Sequence, residues 1–312
     1  PPSTLPVADT AAVLQLIQDR ATAVGLTWVF PLAAMTKGLE GEQLSNMVTL
    51  GEAGCIALSN ARAPISSNQT LARCLEYSAA YNLLMFVHPQ DHELGGKGCA
   101  HDGRVATRMG LPGIPEAAET LELGRYLILA EQTGARLHIG QISTPRSLQM
   151  IADARRRGVK VTADVAIQNL LLNDECLENF DSAYHLIPPL RSETHRQGLI
   201  QALIDGQIDA ICSDHQPQDA AAKEAPFGAT APGMVGLQTL LPLCLMLVEA
   251  QHIELSDMIR LLTQGPARLL GLEFGQLGVG AVADVCVFDP QQTWCFNPQS
   301  TRSRGGTSPY MH

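Results

Sequence analysis

Residues 208–219 read IDAICSDHQPQD and contain the feature that points most directly to a fold. An apolar run leads into Ser213-Asp214-His215, and a loop with Pro217 follows. A carboxylate that ends a buried strand in this way is typical of the C-terminal rim of a parallel β/α barrel, where it can serve as a metal ligand or general base. We interpret Asp214 as a site residue; a helix N-cap or a salt-bridged carboxylate is the alternative.

Elsewhere in the chain, short apolar runs alternate with longer amphipathic stretches. The predicted strands cover residues 27–34, 55–58, 83–88, 136–142, 160–165 and 208–212. The predicted helices cover residues 10–24, 70–81, 114–133, 145–157, 193–205, 236–250 and 255–262. Continuously apolar strands that alternate with helices predict a parallel α/β fold.

The number of these units favours a TIM-type (β/α)8 barrel. We interpret residues 1–4 as the frayed end of another strand and expect the first strand of the barrel upstream of them. A doubly wound sheet is the alternative, although no predicted strand is followed by a GxGxxG or P-loop motif. Residues 275–289, GQLGVGAVADVCVFD, contain glycine turns and a short predicted strand. We therefore predict an N-terminally truncated barrel in residues 1–272 and a partial β segment in residues 273–312.

The composition limits the classes of function. With 46% hydrophobic residues in 312, the chain can bury a well-formed core. Its net charge of −10 repels nucleic-acid phosphates. The eight cysteines form no CxxC pair, which is typical of reduced thiols in a cytoplasmic protein. The longest apolar stretch, residues 237–248, is interrupted by polar residues and too short for a bilayer, so we expect no membrane association.

Polar residues also follow other predicted strands. His88 and Asp91 form either a ligand pair or a hydrogen-bonded pair at the rim. His138 lies within a strand, where a core histidine is the usual interpretation. Ser143 and Thr144 precede a proline, which predicts a helix N-cap and not a nucleophile.

Three amides stand where further metal ligands would be expected: Gln141, Asn169 and Gln218. An amide has neither the imidazole lone pair that zinc favours nor a charge. Each could equally be a plain rim amide bonded to loop backbone. A rim with two carboxylates, Asp91 and Asp214, and three amides is a poor zinc site, so we expect no metal cofactor.

Eight segments carry a resemblance to one known family. They are PSTLPVADT (2–10), MFVHPQD (85–91), LHIGQIST (137–144), PPLR (188–191), SDHQPQ (213–218), PFGATAPGMVGL (226–237), GPARLLGL (265–272) and GQLGVGAVADVCVFD (275–289). Nearly end to end, the chain resembles the dihydroorotase family of the amidohydrolase superfamily, with its motifs PNTxPxxDT, HxED, HVST, NPPLR, TDHAPH, a later substrate loop, NPARxLGL and GxLxxGxxAD.

The departures from that family are concentrated at its site. The resemblance implies that Gln141, Asn169 and Gln218 replace histidines, and that Ser3 and Ile187 replace asparagines near substrate. It also implies that Asp214 matches the catalytic aspartate and Asp91 an aspartate that binds zinc in some members. The predicted degenerate-site positions are Ser3, His88, Asp91, Gln141, Asn169, Ile187, Asp214 and Gln218.

This pattern resembles a non-catalytic dihydroorotase-like subunit that forms a hetero-oligomer with the aspartate carbamoyltransferase catalytic chain in pyrimidine biosynthesis. Two alternatives stay open. The chain could be an active zinc amidohydrolase, dihydroorotase or hydantoinase-like, that binds metal through Asp91, Asp214 and an upstream His-x-His pair. It could also be a binding protein for a small molecule.

Overall fold

The computed structural model describes residues 1–311 and contains two compact units. The first comprises Pro1–Asp91, Leu121–Gly140 and Met150–Thr162, and the second comprises His92–Thr120, Gln141–Gln149 and the chain from Ala163 onward. Each unit therefore takes segments from several places in the sequence. The predicted boundary at residue 272 stays a prediction.

Eight strands are formed. They are β1 (Leu32–Ala34), β2 (Ala57–Ser59), β3 (Leu84–Val87), β4 (Ala100–His101), β5 (Gly113–Ile114), β6 (Arg136–Ile139), β7 (Val161–Ala166) and β8 (Ala210–Cys212). The larger sheet has the order β1-β2-β3-β6-β7-β8, and β4 pairs with β5. Its pairs β1–β2, β2–β3, β3–β6 and β7–β8 are parallel. This confirms the predicted parallel α/β class, and an order without reversal favours a barrel over a doubly wound sheet, which reverses at a switch point.

Thirteen helices lie before, between and after the strands within the described residues. They are α1 (Ala11–Val24), α2 (Met47–Glu52), α3 (Asn68–Ala80), α4 (His92–Gly95), α5 (Arg104–Met109), α6 (Glu116–Thr133), α7 (Pro145–Arg156), α8 (Ile167–Leu171), α9 (Glu193–Ile204), α10 (Ala220–Lys223), α11 (Leu240–Glu249), α12 (Leu255–Leu262) and α13 (Gln264–Leu270). Short 3₁₀ turns cover Lys37–Leu39, Asp174–Leu177, Ser182–Tyr184 and Phe227–Ala229. Every predicted helix is present, and α12 has the predicted bounds.

The six strands predicted between residues 27 and 212 are also present but mostly shorter. Strand β6 ends at Ile139 and not at residue 142, because Gln141 adopts a left-handed backbone with φ 58° that no extended strand allows. Strand β1 begins only at Leu32, and Trp28 before it is 64% exposed.

Two predicted strands are wrong. Residues 1–4 form no strand, because the two leading prolines lack N–H donors and the Pro2 carbonyl instead accepts the Ala8 N–H at 3.0 Å. Residues 275–289 contain no strand either, and no described residue beyond 272 lies in a helix or strand. There Val287 is 92% exposed, and a strand without a partner leaves its backbone groups unpaired.

The start of α7 confirms the predicted N-cap. Pro145 is the first helical residue, and the Thr144 hydroxyl accepts the Ser147 N–H at 3.4 Å. The buried Glu119 carboxylate of α6 adds to this cap, since it accepts the backbone N–H groups of Ser143 at 3.0 Å and Thr144 at 3.1 Å. The polar pair is thus structural, as predicted.

Within residues 1–311, no helix combines the length and apolar character that crossing a membrane would require.

Candidate functional site

The candidate site lies in the second unit, around the carboxylate of Asp214. Asp214 follows β8 and has φ 43°, while Gln141 follows the end of β6 with φ 58°. Non-glycine residues rarely adopt this left-handed backbone, and those that do are concentrated at functional positions. Both side chains are half-buried.

Three side-chain amides donate hydrogen bonds to this carboxylate. Gln141 Nε2 donates to Oδ1 of Asp214, Gln168 Nε2 donates to Oδ2 at 3.3 Å, and Gln216 Nε2 donates to Oδ1 at 3.2 Å. Both carboxylate oxygens therefore accept amide N–H groups. We call Asp214, Gln141, Gln168 and Gln216 the amide cluster.

A second carboxylate, that of Asp164 within β7, contacts the cluster and a neighbouring thiol. It is buried, and its Oδ1 accepts the backbone N–H of Gln141 at 2.8 Å and the thiol of Cys212 at 3.1 Å. Burial raises the pKa of the Cys212 thiol well above its ordinary value, and the charges of Asp164 and Asp214 raise it further. The thiol is thus a hydrogen-bond donor here and not a nucleophile.

The three amides singled out in the sequence donate hydrogen bonds to different acceptors. Gln141 does so, whereas the buried Asn169 donates to the Pro189 carbonyl at 3.4 Å. Gln218 likewise donates to the Pro232 carbonyl, at 2.9 Å. Gln141 therefore behaves as a site amide, and the other two behave as amides bonded to backbone.

Gln168 and Gln216 also donate to Asp214, although the sequence pattern did not predict either of them as a site residue. Gln168 directly precedes Asn169 in α8, and Gln216 lies two residues after Asp214. The available signal was the pair of adjacent amides, but it did not reveal which one faces the carboxylate.

The other predicted positions have different surroundings. In the second unit, Ile187 is half-buried and precedes a cis bond to Pro188. In the first unit, Ser3 is exposed, and His88 packs so closely on Gly140 that a Cβ there would lie 2.8 Å from its Cε1. Asp91 is near Glu122, and its charge adds to the effect of burial in raising the pKa of that carboxyl.

His138 has the surroundings of a core histidine. It is buried, its Nδ1 lies 2.8 Å from Thr162 Oγ1, and its ring centroid lies 4.5 Å from that of Phe86. The core interpretation is confirmed.

The donor set around Asp214 does not fit zinc, the metal that the family resemblance implies. Zinc needs several convergent lone pairs from imidazole, thiolate or carboxylate. The three amides instead direct N–H groups at the carboxylate, and these bonds use oxygen lone pairs that would otherwise be open to a cation. Among residues 1–311, no group of three His, Cys, Asp or Glu side chains is placed to hold a metal ion.

Comparison with known proteins identifies relatives along the whole chain. Residues 1–147 match a family model described as dihydro-orotase-like. A dihydroorotase-like protein from Pseudomonas putida is 47% identical over 311 residues, which are 100% of this chain and 73% of the relative. A dihydroorotase-like protein from Pseudomonas aeruginosa is 45% identical with the same coverage. A dihydroorotase from Anaeromyxobacter dehalogenans strain 2CP-C is 40% identical over 311 residues, which are 99% of this chain and 72% of the relative.

Solved structures with this fold include the L-hydantoinase (dihydropyrimidinase) from Arthrobacter aurescens. Its TM-score is 0.85 at 22% identity, over 99% of this chain and 71% of that protein. A D-hydantoinase structure has a TM-score of 0.73 at 19% identity, over 98% of this chain and 76% of that one. At such identities the likeness concerns the fold alone, and it confirms the predicted α/β fold class with a parallel sheet and helices, as in these hydantoinases.

Proposed function

Because the chain belongs to the dihydroorotase-like family, we propose that it is a non-catalytic member that serves as a structural subunit of aspartate carbamoyltransferase in pyrimidine biosynthesis. The observation that carries the non-catalytic part is that three side-chain amides donate hydrogen bonds to the Asp214 carboxylate. The partner follows from the resemblance of the chain to the non-catalytic subunits of that transferase.

The chemistry of cyclic amide hydrolysis explains why amide donors on Asp214 argue against catalysis. The reaction needs an activated water and a group that moves its proton to the leaving nitrogen. A carboxylate that already accepts three N–H groups is a poor proton acceptor, because these hydrogen bonds favour its charged form and a proton would compete with them. Cys212, the thiol at the cluster, is held protonated by burial and two neighbouring carboxylates.

An assembly role requires an apolar contact surface, and the second unit offers one. A groove of about 770 Å³ lies between α11 and residues 288–294. Its apolar lining includes Leu245, Met246 and Trp294, and Met246 is 51% exposed. The lining contains Glu249 and Asp289 but no lysine or arginine. We propose that the transferase chain covers this groove with apolar side chains flanked by basic ones.

The assembly is tested by co-expressing the full-length protein with the aspartate carbamoyltransferase catalytic chain, followed by size-exclusion chromatography. We expect the wild type to co-elute with the transferase chain. Met246→Lys should lose the complex, because the new positive charge in the groove would repel the basic side chains of the partner. The matched control is Leu121→Lys on α6, where the native side chain is 59% exposed. Separate elution of the wild type would refute the partner, whereas equal behaviour of both variants would refute the groove.

The loss of catalysis is tested by dihydroorotate turnover and zinc content of the full-length protein. We expect no turnover above background and no stoichiometric zinc. The second candidate, an active cyclic amidohydrolase that binds zinc through Asp91 and Asp214, is favoured by the 40% identical relative named dihydroorotase. Turnover at an ordinary enzymatic rate, roughly 1–10³ per second, would establish that candidate.

A further inference from the structure

We infer that the amide N–H groups of Gln141, Gln168 and Gln216 together compensate the negative charge of Asp214 and form a metal-independent lock that joins three segments of the chain. The inference rests on the proposed non-catalytic function and deepens it. It assigns the retained aspartate a structural role, as hydrogen-bond acceptor, in place of a chemical one.

The negative charge of Asp214 must be compensated because of where this residue lies. Its side chain is half-buried, and a second carboxylate, Asp164, is linked to it through Gln141. Two carboxylates in partly desolvated surroundings destabilise each other unless donors compensate their charge. A bound cation is one form of compensation, and several N–H groups directed at the oxygens are another.

The orientation of the amides supports the second form. A glutamine amide can present either nitrogen or oxygen to a neighbour, and the choice is settled by the hydrogen-bond network. Here the neighbour is a carboxylate, which only accepts, so only the N–H side is favourable. Gln168 shows what this choice costs, because its Oε1 is buried with no hydrogen-bond partner among the described residues. The donor role therefore decides the placement of this side chain.

The cluster joins parts of the chain that are distant in sequence. Gln141 and Asp214 are 73 residues apart, and Gln168 and Asp214 are 46 apart. The Gln141 backbone is tied to Asp164 on β7 by its own N–H at 2.8 Å. Through these bonds the cluster connects residue 141, helix α8 and the segment after β8, as a multidentate ligand set around a cation would.

The test is a charge swap within the lock, read out by thermal unfolding of the full-length protein. Gln141→Glu sets a second carboxylate against Asp214, and Asp214→Asn removes the acceptor charge. We expect each to lower the melting temperature by about 5 °C at pH 7. In the double variant Gln141→Glu/Asp214→Asn, a carboxylate again faces an amide, so we expect at least half of the loss to be recovered.

Two further measurements separate this lock from its alternatives. The Gln141→Glu defect should shrink below about pH 5, when the two carboxylates share a proton. The wild-type melting temperature should not change with EDTA or added zinc, whereas a chelator-induced loss would indicate a metal lock. If the single variants melt like the wild type, or their effects simply add in the double variant, the lock is refuted. That result would leave the absence of turnover and the carbamoyltransferase complex as independent questions.

Discussion

At the scale of single residues, the direction of one side chain distinguishes Gln168 from its neighbour. The two amides are consecutive in α8, yet Gln168 reaches Asp214 while Asn169 bonds the Pro189 carbonyl. Successive residues in a helix point about 100° apart, as 3.6 residues per turn requires. Only one of the pair can therefore face the carboxylate, and Gln168 is the position from which a ligand would reach a metal beside Asp214.

This geometry predicts which substitution creates a metal site. In Gln141→His/Gln168→His, two imidazoles and the Asp214 carboxylate converge, so we expect about one zinc or cobalt per chain. The matched control, Gln141→His/Asn169→His, sets its second imidazole toward Pro189 and should bind far less. Cobalt absorption spectra and elemental analysis of both proteins measure this. Equal metal content in the two variants would contradict the assignment of Gln168.

At the scale of secondary-structure elements, a buried carboxylate of α6 holds the beginning of α7. The first N–H groups of a helix have no partners within it, and a negative charge there is favourable. Glu119 accepts the backbone N–H groups of Ser143 and Thr144, the two residues before α7, and the Thr144 hydroxyl at 2.9 Å. The guanidinium of Arg191 lies 4.0 Å away and is also buried. The entry to α7 is therefore stabilised by tertiary contacts as well as by its own cap.

We expect Glu119→Gln to lower the free energy of unfolding by about 2–4 kcal/mol, since it removes a buried charge and leaves Arg191 with less compensation. The control, Glu131→Gln, changes an exposed carboxylate of the same helix that pairs with Arg157, where less than about 1 kcal/mol is expected. Chemical denaturation of both variants provides the values. A similar loss in the two would mean that the α7 contacts contribute little.

At the scale of the whole molecule, two buried histidines link folding to pH. Burial, together with the charge of Arg191, lowers the pKa of His101 from 6.5 to about 4. Burial and the charge of Lys223 lower that of His185 to about 4 as well. His101 accepts from Arg191 Nη1 at 3.2 Å, because a guanidinium only donates. Both imidazoles are therefore neutral in the folded protein, whereas the unfolded chain binds protons near pH 6.5.

The direction in which folding stability changes with pH follows from this difference in protonation. As pH falls from about 6.5 toward 4, the unfolded chain binds more protons, so folding stability is lost, on the order of 2–3 kcal/mol per histidine. Glu122 and Asp174 partly offset this, since burial raises the pKa of each and the folded protein takes up their protons first.

Urea denaturation between pH 7.5 and 4.5 measures the effect. We expect His101→Gln to be less stable at pH 7.5 but to lose less stability on acidification than the wild type. The exposed His92 provides the control, and His92→Gln should retain the wild-type pH dependence. Parallel curves for all three proteins would show that His101 does not contribute to the linkage.

The amino-acid sequence by itself determined the helices, the parallel strands and the helix start at Thr144 and Pro145, and it singled out Asp214 and Gln141, which the structure brings together. These depend on periodicity and local chemistry, which a linear pattern records. The family could also be read from it, since motifs along the whole chain carry it.

Only the tertiary structure decided which amides reach Asp214, and that residues 275–289 form no strand. The strand was wrong because pairing depends on a partner strand, which a local pattern cannot supply. Gln168 and Gln216 could not be distinguished from Asn169 and Gln218 for a similar reason. Past the end of a strand, side-chain direction is set by individual backbone angles, such as φ 43° at Asp214, and those angles are fixed by contacts between segments far apart in sequence.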